Sequence, residues 1–224
     1  MSDISETLKL NADEKYKKFS EKLIPDTKYP ILGVRIPVIK DMAKSLSIAD
    51  ALAFTRTPHV FYEEYMLHGL LINRLNAENA FPALENFLPF IDNWAICDSV
   101  ATSLKKLAKD KETLLLRIEK WLRSDKTYTV RFAIVLLLAH FITDEYAERA
   151  NQLVLSVRSD EYYINMAISW YLSFALIKQY DVTVKILERR SLPKFIQNKT
   201  VSKARESFRL SQDKKDYLKT LTIK

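Results

Sequence analysis

Apolar residues recur every three or four positions along almost the whole chain, as in Leu104, Leu107, Ala108 and Leu115, or Ile168, Leu172, Ala175 and Leu176. That spacing lays apolar side chains along one face of an α-helix, whereas a half-buried strand alternates every second residue. The helical stretches are parted by short breaks. Pro25 and Pro30 bracket one, Gly33 to Pro37 forms another and Thr57-Pro58 a third; Pro82 and Pro89 bound a short segment, and Pro193 interrupts the C-terminal region. Each proline removes a backbone donor and crowds the preceding turn, so a helix is expected to stop there. No Ser/Gly linker and no low-complexity tract interrupts the series, so residues 1–224 read as a single domain of helices packed back to back.

Composition narrows the class further. Two glycines among 224 residues are too few for a fold built on tight β-turns, which need residues tolerant of positive φ. An all-α protein is expected. One cysteine, Cys97, can form no internal disulfide and no thiolate cluster, which suits a reducing compartment. The first residues are polar and charged with no apolar core, as a secretory signal would have. The longest apolar run, Phe132 to Ala139, falls far short of the roughly 18 residues a bilayer demands. The expectation is a soluble, cytoplasmic monomer that does not engage membranes.

A weak internal period gives the architecture. Asp92-Asn-Trp-Ala-Ile-Cys-Asp98, Asp125-Lys-Thr-Tyr-Thr-Val-Arg131 and Asp160-Glu-Tyr-Tyr-Ile-Asn-Met166 follow one another at offsets of 33 and 35 residues. Arg-Ser-Asp stands at 123–125 and again at 158–160, and Pro58 to Glu64 lies 34 residues before the first unit. Each leading Asp, or Thr57 in the earliest unit, is expected to cap the helix that follows. Two-helix units of this length cannot bury their apolar faces alone and stack into an α-solenoid with a curved surface. In that register Glu64, Asp98, Arg131 and Met166 correspond, so Asp98 and Arg131 are expected on one concave face. An unrelated helical bundle with chance similarity is the alternative.

Charge then points to a ligand. Residues 185–224 hold twelve Lys and Arg against four Asp and Glu, whereas the first 184 residues sum to −1. A basic C-terminal helical region containing Lys199, Lys203 and Arg205 fits a polyphosphate, or is simply a solvated basic tail. On the concave face, Trp94 and Asp98 stand one helical turn apart, with Arg131 and Trp170 on later helices. Aromatic rings with a carboxylate suit a cationic ligand, and an arginine beside them suits a phosphate. Singly, each has an ordinary explanation: a core tryptophan, an exposed helix charge, a pairing arginine. His59, His68 and His140 show no metal-ligand spacing, and no Gly-rich phosphate loop or nucleophile elbow is present, so neither metal nor cofactor is expected. Tyr62-Glu63-Glu64-Tyr65 reads as an exposed acidic helix turn, and Cys97 as a core residue.

The chain resembles the AlkD family of HEAT-like-repeat DNA alkylation repair glycosylases from about Ile31 to Phe208. The resemblance is carried by Leu32-Gly33-Val34-Arg35-Ile36-Pro37, by Asn93-Trp94-Ala95-Ile96-Cys97-Asp98-Ser99, by Trp121-Leu122 with Thr129-Val130-Arg131-Phe132-Ala133-Ile134, and by Ile164-Asn165-Met166-Ala167-Ile168-Ser169-Trp170. It implies an α-solenoid superhelix of helical-hairpin repeats cradling double-stranded DNA in a cationic concave cleft, and excision of N3- and N7-alkylated purines without a metal or cofactor. By that resemblance Trp94 and Trp170 contact the lesion's sugar and backbone, Asp98 stabilises the developing oxocarbenium ion, and Arg131 holds phosphate; Lys199, Lys203 and Arg205 fit the DNA backbone. One departure stands out. The family's glycosylases have two helices before the Leu-Gly-x-x-x-Pro element, the second entering the minor groove. Here a single amphipathic run, Ala12 to Ile24, precedes Pro25-Asp26-Thr27-Lys28-Tyr29-Pro30, which cannot form that helix. The chain therefore resembles a shortened branch, a DNA-binding relative with weak or absent excision. An active glycosylase and a protein-binding helical scaffold are the alternatives.

Overall fold

The computed structural model describes residues 4–224, and among them every regular element is helical. Its α-helices are α1 (Ile4–Leu10), α2 (Glu14–Leu23), α3 (Ile36–Ser45), α4 (Ile48–Phe54), α5 (Tyr62–Ile72), α6 (Ala77–Phe87) and α7 (Trp94–Ser103). They continue as α8 (Lys111–Trp121), α9 (Thr127–His140), α10 (Ala147–Ser156), α11 (Tyr162–Lys178), α12 (Tyr180–Glu188), α13 (Lys194–Arg205) and α14 (Gln212–Thr220). The chain forms two compact units that divide within α8, one ending at Leu114 and the other beginning at Leu115.

The first unit is organised around α5, every residue of which is buried. A helix covered on all sides loses its amphipathic stripe, and α5 meets α1, α3, α4, α6 and α7. Gly69 permits this: a Cβ there would run into Val100 of α7 and Phe87 of α6. Two helices, not one, precede the Leu32-Gly33-Val34 turn. The amphipathic run becomes α2, capped by Asp13, whose carboxylate accepts the amides of Lys15 and Tyr16. The extra helix α1 was hidden in a polar stretch of only seven residues and is held by burial of Leu8 and by a hydrogen bond from the Ser5 hydroxyl to Glu64. Residues 25–35 contain no helix, as their prolines require. Pro82, expected to bound a segment, instead lies inside α6. There α6 is started by Asn76, whose side chain accepts the Asn79 amide.

Gly33 has φ +94°, and a Cβ there would strike the Asp13 carbonyl and Lys17. Gly33→Ala is expected to destabilise the protein by about 3 kcal/mol, from left-handed strain plus that collision. A urea midpoint within error of wild type would contradict it.

In the second unit α11 packs against α9 and α13, with α10 and α12 also against it. The three helices begin in step: the Tyr128 ring meets Tyr163 at 5.6 Å, and Tyr162 meets Phe195 at 6.0 Å. The two Arg-Ser-Asp turns make the same local bond. Ser124 Oγ accepts the Lys126 amide at 3.1 Å, and Ser159 Oγ accepts the Glu161 amide at 3.0 Å. The leading aspartates are therefore not caps. The cap positions of α9 and α11 fall to Lys126 and Glu161, that of α7 to Asn93 and that of α5 to Phe61, in each case later than expected. Asp92 is engaged by the Lys28 amide instead, and Asp125 by the Lys126 ammonium at 3.4 Å.

Candidate nucleic-acid interface

In the first unit the local fold explains how Trp94 is presented. Asn93 accepts the Ile96 amide at 3.0 Å, which starts α7 with Trp94 as its first residue. The residue before, Asp92, is turned backwards. Its carboxylate accepts the Lys28 amide at 2.6 Å, the Thr27 hydroxyl at 3.1 Å and the Asn93 side-chain amide at 2.7 Å. Tyr29 adds a hydroxyl bond to the Phe90 carbonyl at 2.9 Å, and the indole of Trp94 donates to the Leu23 carbonyl at 3.1 Å. The proline-bounded segment after α2 is thus fastened along the start of α7. Trp94 and Asp98 are both half-buried and, four residues apart, lie on one face of the helix.

In the second unit Arg131 is only 6% exposed, and its guanidinium donates to the Tyr163 carbonyl at 2.8 Å, bridging α9 to α11. Trp170 lies further along α11, half-buried, with its ring edge-on to Phe174 at 5.9 Å. Lys199 and Lys203, also half-buried, share one face of α13. Helix α13 packs against α11, the helix that carries Trp170. Arg205 falls about 120° around α13 from Lys199 and lines a recess with Asn198, Ser202 and Glu206. The basic residues therefore divide into a lysine pair on one face of α13 and an arginine on another.

The acidic pair of α5 is not exposed. Glu63 is fully buried and accepts the amides of Leu32, Gly33 and Val34 at 3.0, 2.7 and 3.1 Å. Glu64 is also buried; it accepts the amides of Val60 and Phe61 at 2.7 and 2.9 Å and the Ser5 hydroxyl. Burial pushes the Glu64 carboxyl up, but these donors and nearby His59 outweigh it and hold the group below the usual carboxylate range. Both acids organise backbone. Sequence reasoning also separated two histidines that the fold joins. His59 Nε2 and His68 Nδ1 are 2.9 Å apart, within a cage of Phe54, Tyr65 and Phe87 rings. Burial lowers both imidazoles, His68 to about 3, with the neighbouring His59 adding to the effect there. Cys97 is buried, as its apolar surroundings suggested.

Among the described residues no group of three or more His, Cys, Asp or Glu gathers as a metal site requires, and no helix is long and apolar enough to cross a membrane. The family model described as DNA alkylation repair enzyme matches residues 4–206. The chain belongs to that family. Among curated proteins, none matches the sequence. The match takes in α1 and extends through α13.

Proposed function

We propose that this protein binds duplex DNA, the whole chain acting as one monomeric, cytoplasmic DNA-binding domain, and that it excises alkylated purines weakly or not at all. The family match over residues 4–206 carries the reading. Lys199 and Lys203 neutralise phosphates, Arg131 stiffens the α9–α11 pair through the Tyr163 carbonyl, and Trp94 and Trp170 meet the sugar. Arg205 contacts phosphate from the adjoining face of α13. We assign the chain to the AlkD type. Because α1 and α2 both precede the Leu32-Gly33 turn, the single helix that suggested a shortened branch is not what forms. Weak excision is read from the helix-free segment after α2, which is tied to Asp92.

Where excision occurs, the bond from C1′ to the alkylated purine nitrogen breaks first. The purine, already cationic, leaves neutral, and positive charge develops on the sugar. Asp98 stabilises that charge, and water adds to C1′ with release of one proton. The step needs no metal, no cofactor and no general acid on the leaving base.

Fluorescence anisotropy with a plain and a 7-methylguanine duplex tests the reading. Binding should be salt-dependent and indifferent to the lesion. Lys199→Gln/Lys203→Gln should weaken it about tenfold at low salt and reduce the salt slope by about 2. Unchanged affinity in that variant would overturn the assignment of the face. Release of 7-methylguanine in single turnover, lost in Asp98→Asn, would instead establish an active glycosylase. Absence of duplex binding would leave a helical scaffold for a protein partner.

A further inference from the structure

Four aromatic rings run across the starts of α9, α11 and α13. Tyr128 contacts Tyr163 at 5.6 Å, Tyr163 contacts Tyr162 at 5.4 Å, and Tyr162 contacts Phe195 at 6.0 Å. The row is not core packing. Tyr162 is 57% and Phe195 42% exposed, and Tyr128 and Tyr163 are half-buried. Tyr162 and Phe195 therefore present adjoining ring surface to solvent.

The charges around the row select the partner. One and two turns further along α13 from Phe195 lie Lys199 and Lys203, and exposed Lys194 precedes it. At the other end Lys126 pairs with Asp125 at 3.4 Å and turns into the groove before α9, so the cations beside the row are those of α13. The acids of the same turns point elsewhere: Asp125 and Glu161 line a groove between the loops before α9 and α11, and Asp160 lines a second groove before α13. None of the four rings lines either groove. Rings flanked by lysines match a strand of unpaired nucleotides, whose bases stack on aromatic faces while the phosphates meet the cations. A paired duplex presents no base face to such rings.

We infer that this row is a stacking rail for unpaired DNA bases, so that the second unit holds single-stranded or locally opened DNA. The inference rests on the DNA-binding reading above and sharpens its substrate. Anisotropy with the full chain separates the two, using labelled oligo(dT) of about 20 nucleotides, an abasic strand of the same length and a blunt duplex. Wild-type protein should bind oligo(dT) at least about tenfold more tightly than the abasic strand. Tyr162→Ala/Phe195→Ala, which alters two exposed side chains, should cost oligo(dT) binding about 10- to 100-fold and leave the blunt duplex within about twofold. Tyr162→Trp should retain oligo(dT) binding.

Equal affinity for oligo(dT) and the abasic strand overturns the rail whatever the variants do. So does an equal loss on both ligands in the double variant, or tighter binding of oligo(U) than of oligo(dT). If oligo(dT) fails to bind while the duplex binds, the rail is lost and duplex binding stands. If neither binds, both readings fall.

Discussion

Glu63→Ala is expected to lower the stability of the protein by about 4 kcal/mol, a fall in melting temperature on the order of 10 °C for a chain of this size. Glu63 receives three successive amides, those of Leu32, Gly33 and Val34, and is itself fully buried. Hydrogen bonds to a charged acceptor contribute about 1.5–3 kcal/mol each, and removing the acceptor leaves donors that burial shields from water. The three bonds are not independent, so the total is smaller than their sum. Glu63→Gln keeps one acceptor oxygen and should show about half the loss. Urea unfolding by circular dichroism reads both. A stability within 1 kcal/mol of wild type for the alanine variant, on the scale where about 4 is expected, would show that water or a shifted turn replaces the carboxylate.

Acid should weaken the fold through the histidine pair. His68 falls from 6.5 to about 3 on folding, chiefly through burial, and His59 also falls. The folded state therefore binds fewer protons than the unfolded chain. The contribution of these groups is fully present above pH 6.5 and is lost progressively as the pH drops toward about 3. For His68 alone the loss amounts to on the order of 4 kcal/mol across that window. Two imidazolium rings 2.9 Å apart would also repel, so the hydrogen bond between them cannot survive double protonation. Glu64 opposes the trend by attracting a proton onto His59, but burial prevails there. Unfolding midpoints at pH 7, 6, 5 and 4 should decline for wild type and flatten in His68→Gln. Parallel curves for the two proteins would contradict the assignment.

The parts of this structure that could be read in advance are those governed by periodicity. The correspondence between 125–131 and 160–166 reappears as the Tyr128–Tyr163 contact and the paired serine turns, because a repeat must bury the same stripe each time. Trp94 and Asp98 share a face because they share a helix. What escaped prediction depends on contacts between segments far apart in sequence. Glu63 looked like a surface acid because nothing local reveals that a loop 30 residues away aims amides at it, whereas Glu64 answers the nearby amides of Val60 and Phe61 and is buried with them. The histidine pair has no periodic signature, and α1 is too short and polar to register before Leu8 finds its pocket. Pro82 shows the reverse error, in which a strong local rule yielded to burial of Ala80, Phe81 and Leu84 along α6.

The grip of Glu63 on residues 32–34 also orders events in the cell. A nascent chain leaves the ribosome N-terminus first, so that turn emerges some 30 residues before the carboxylate that fixes it. Until α5 clears the exit tunnel, the Leu-Gly-Val turn has three unanswered amides and α2 has no firm base. The first unit should therefore consolidate in one late step. A stalled chain ending before position 63 would be unusually open to proteases.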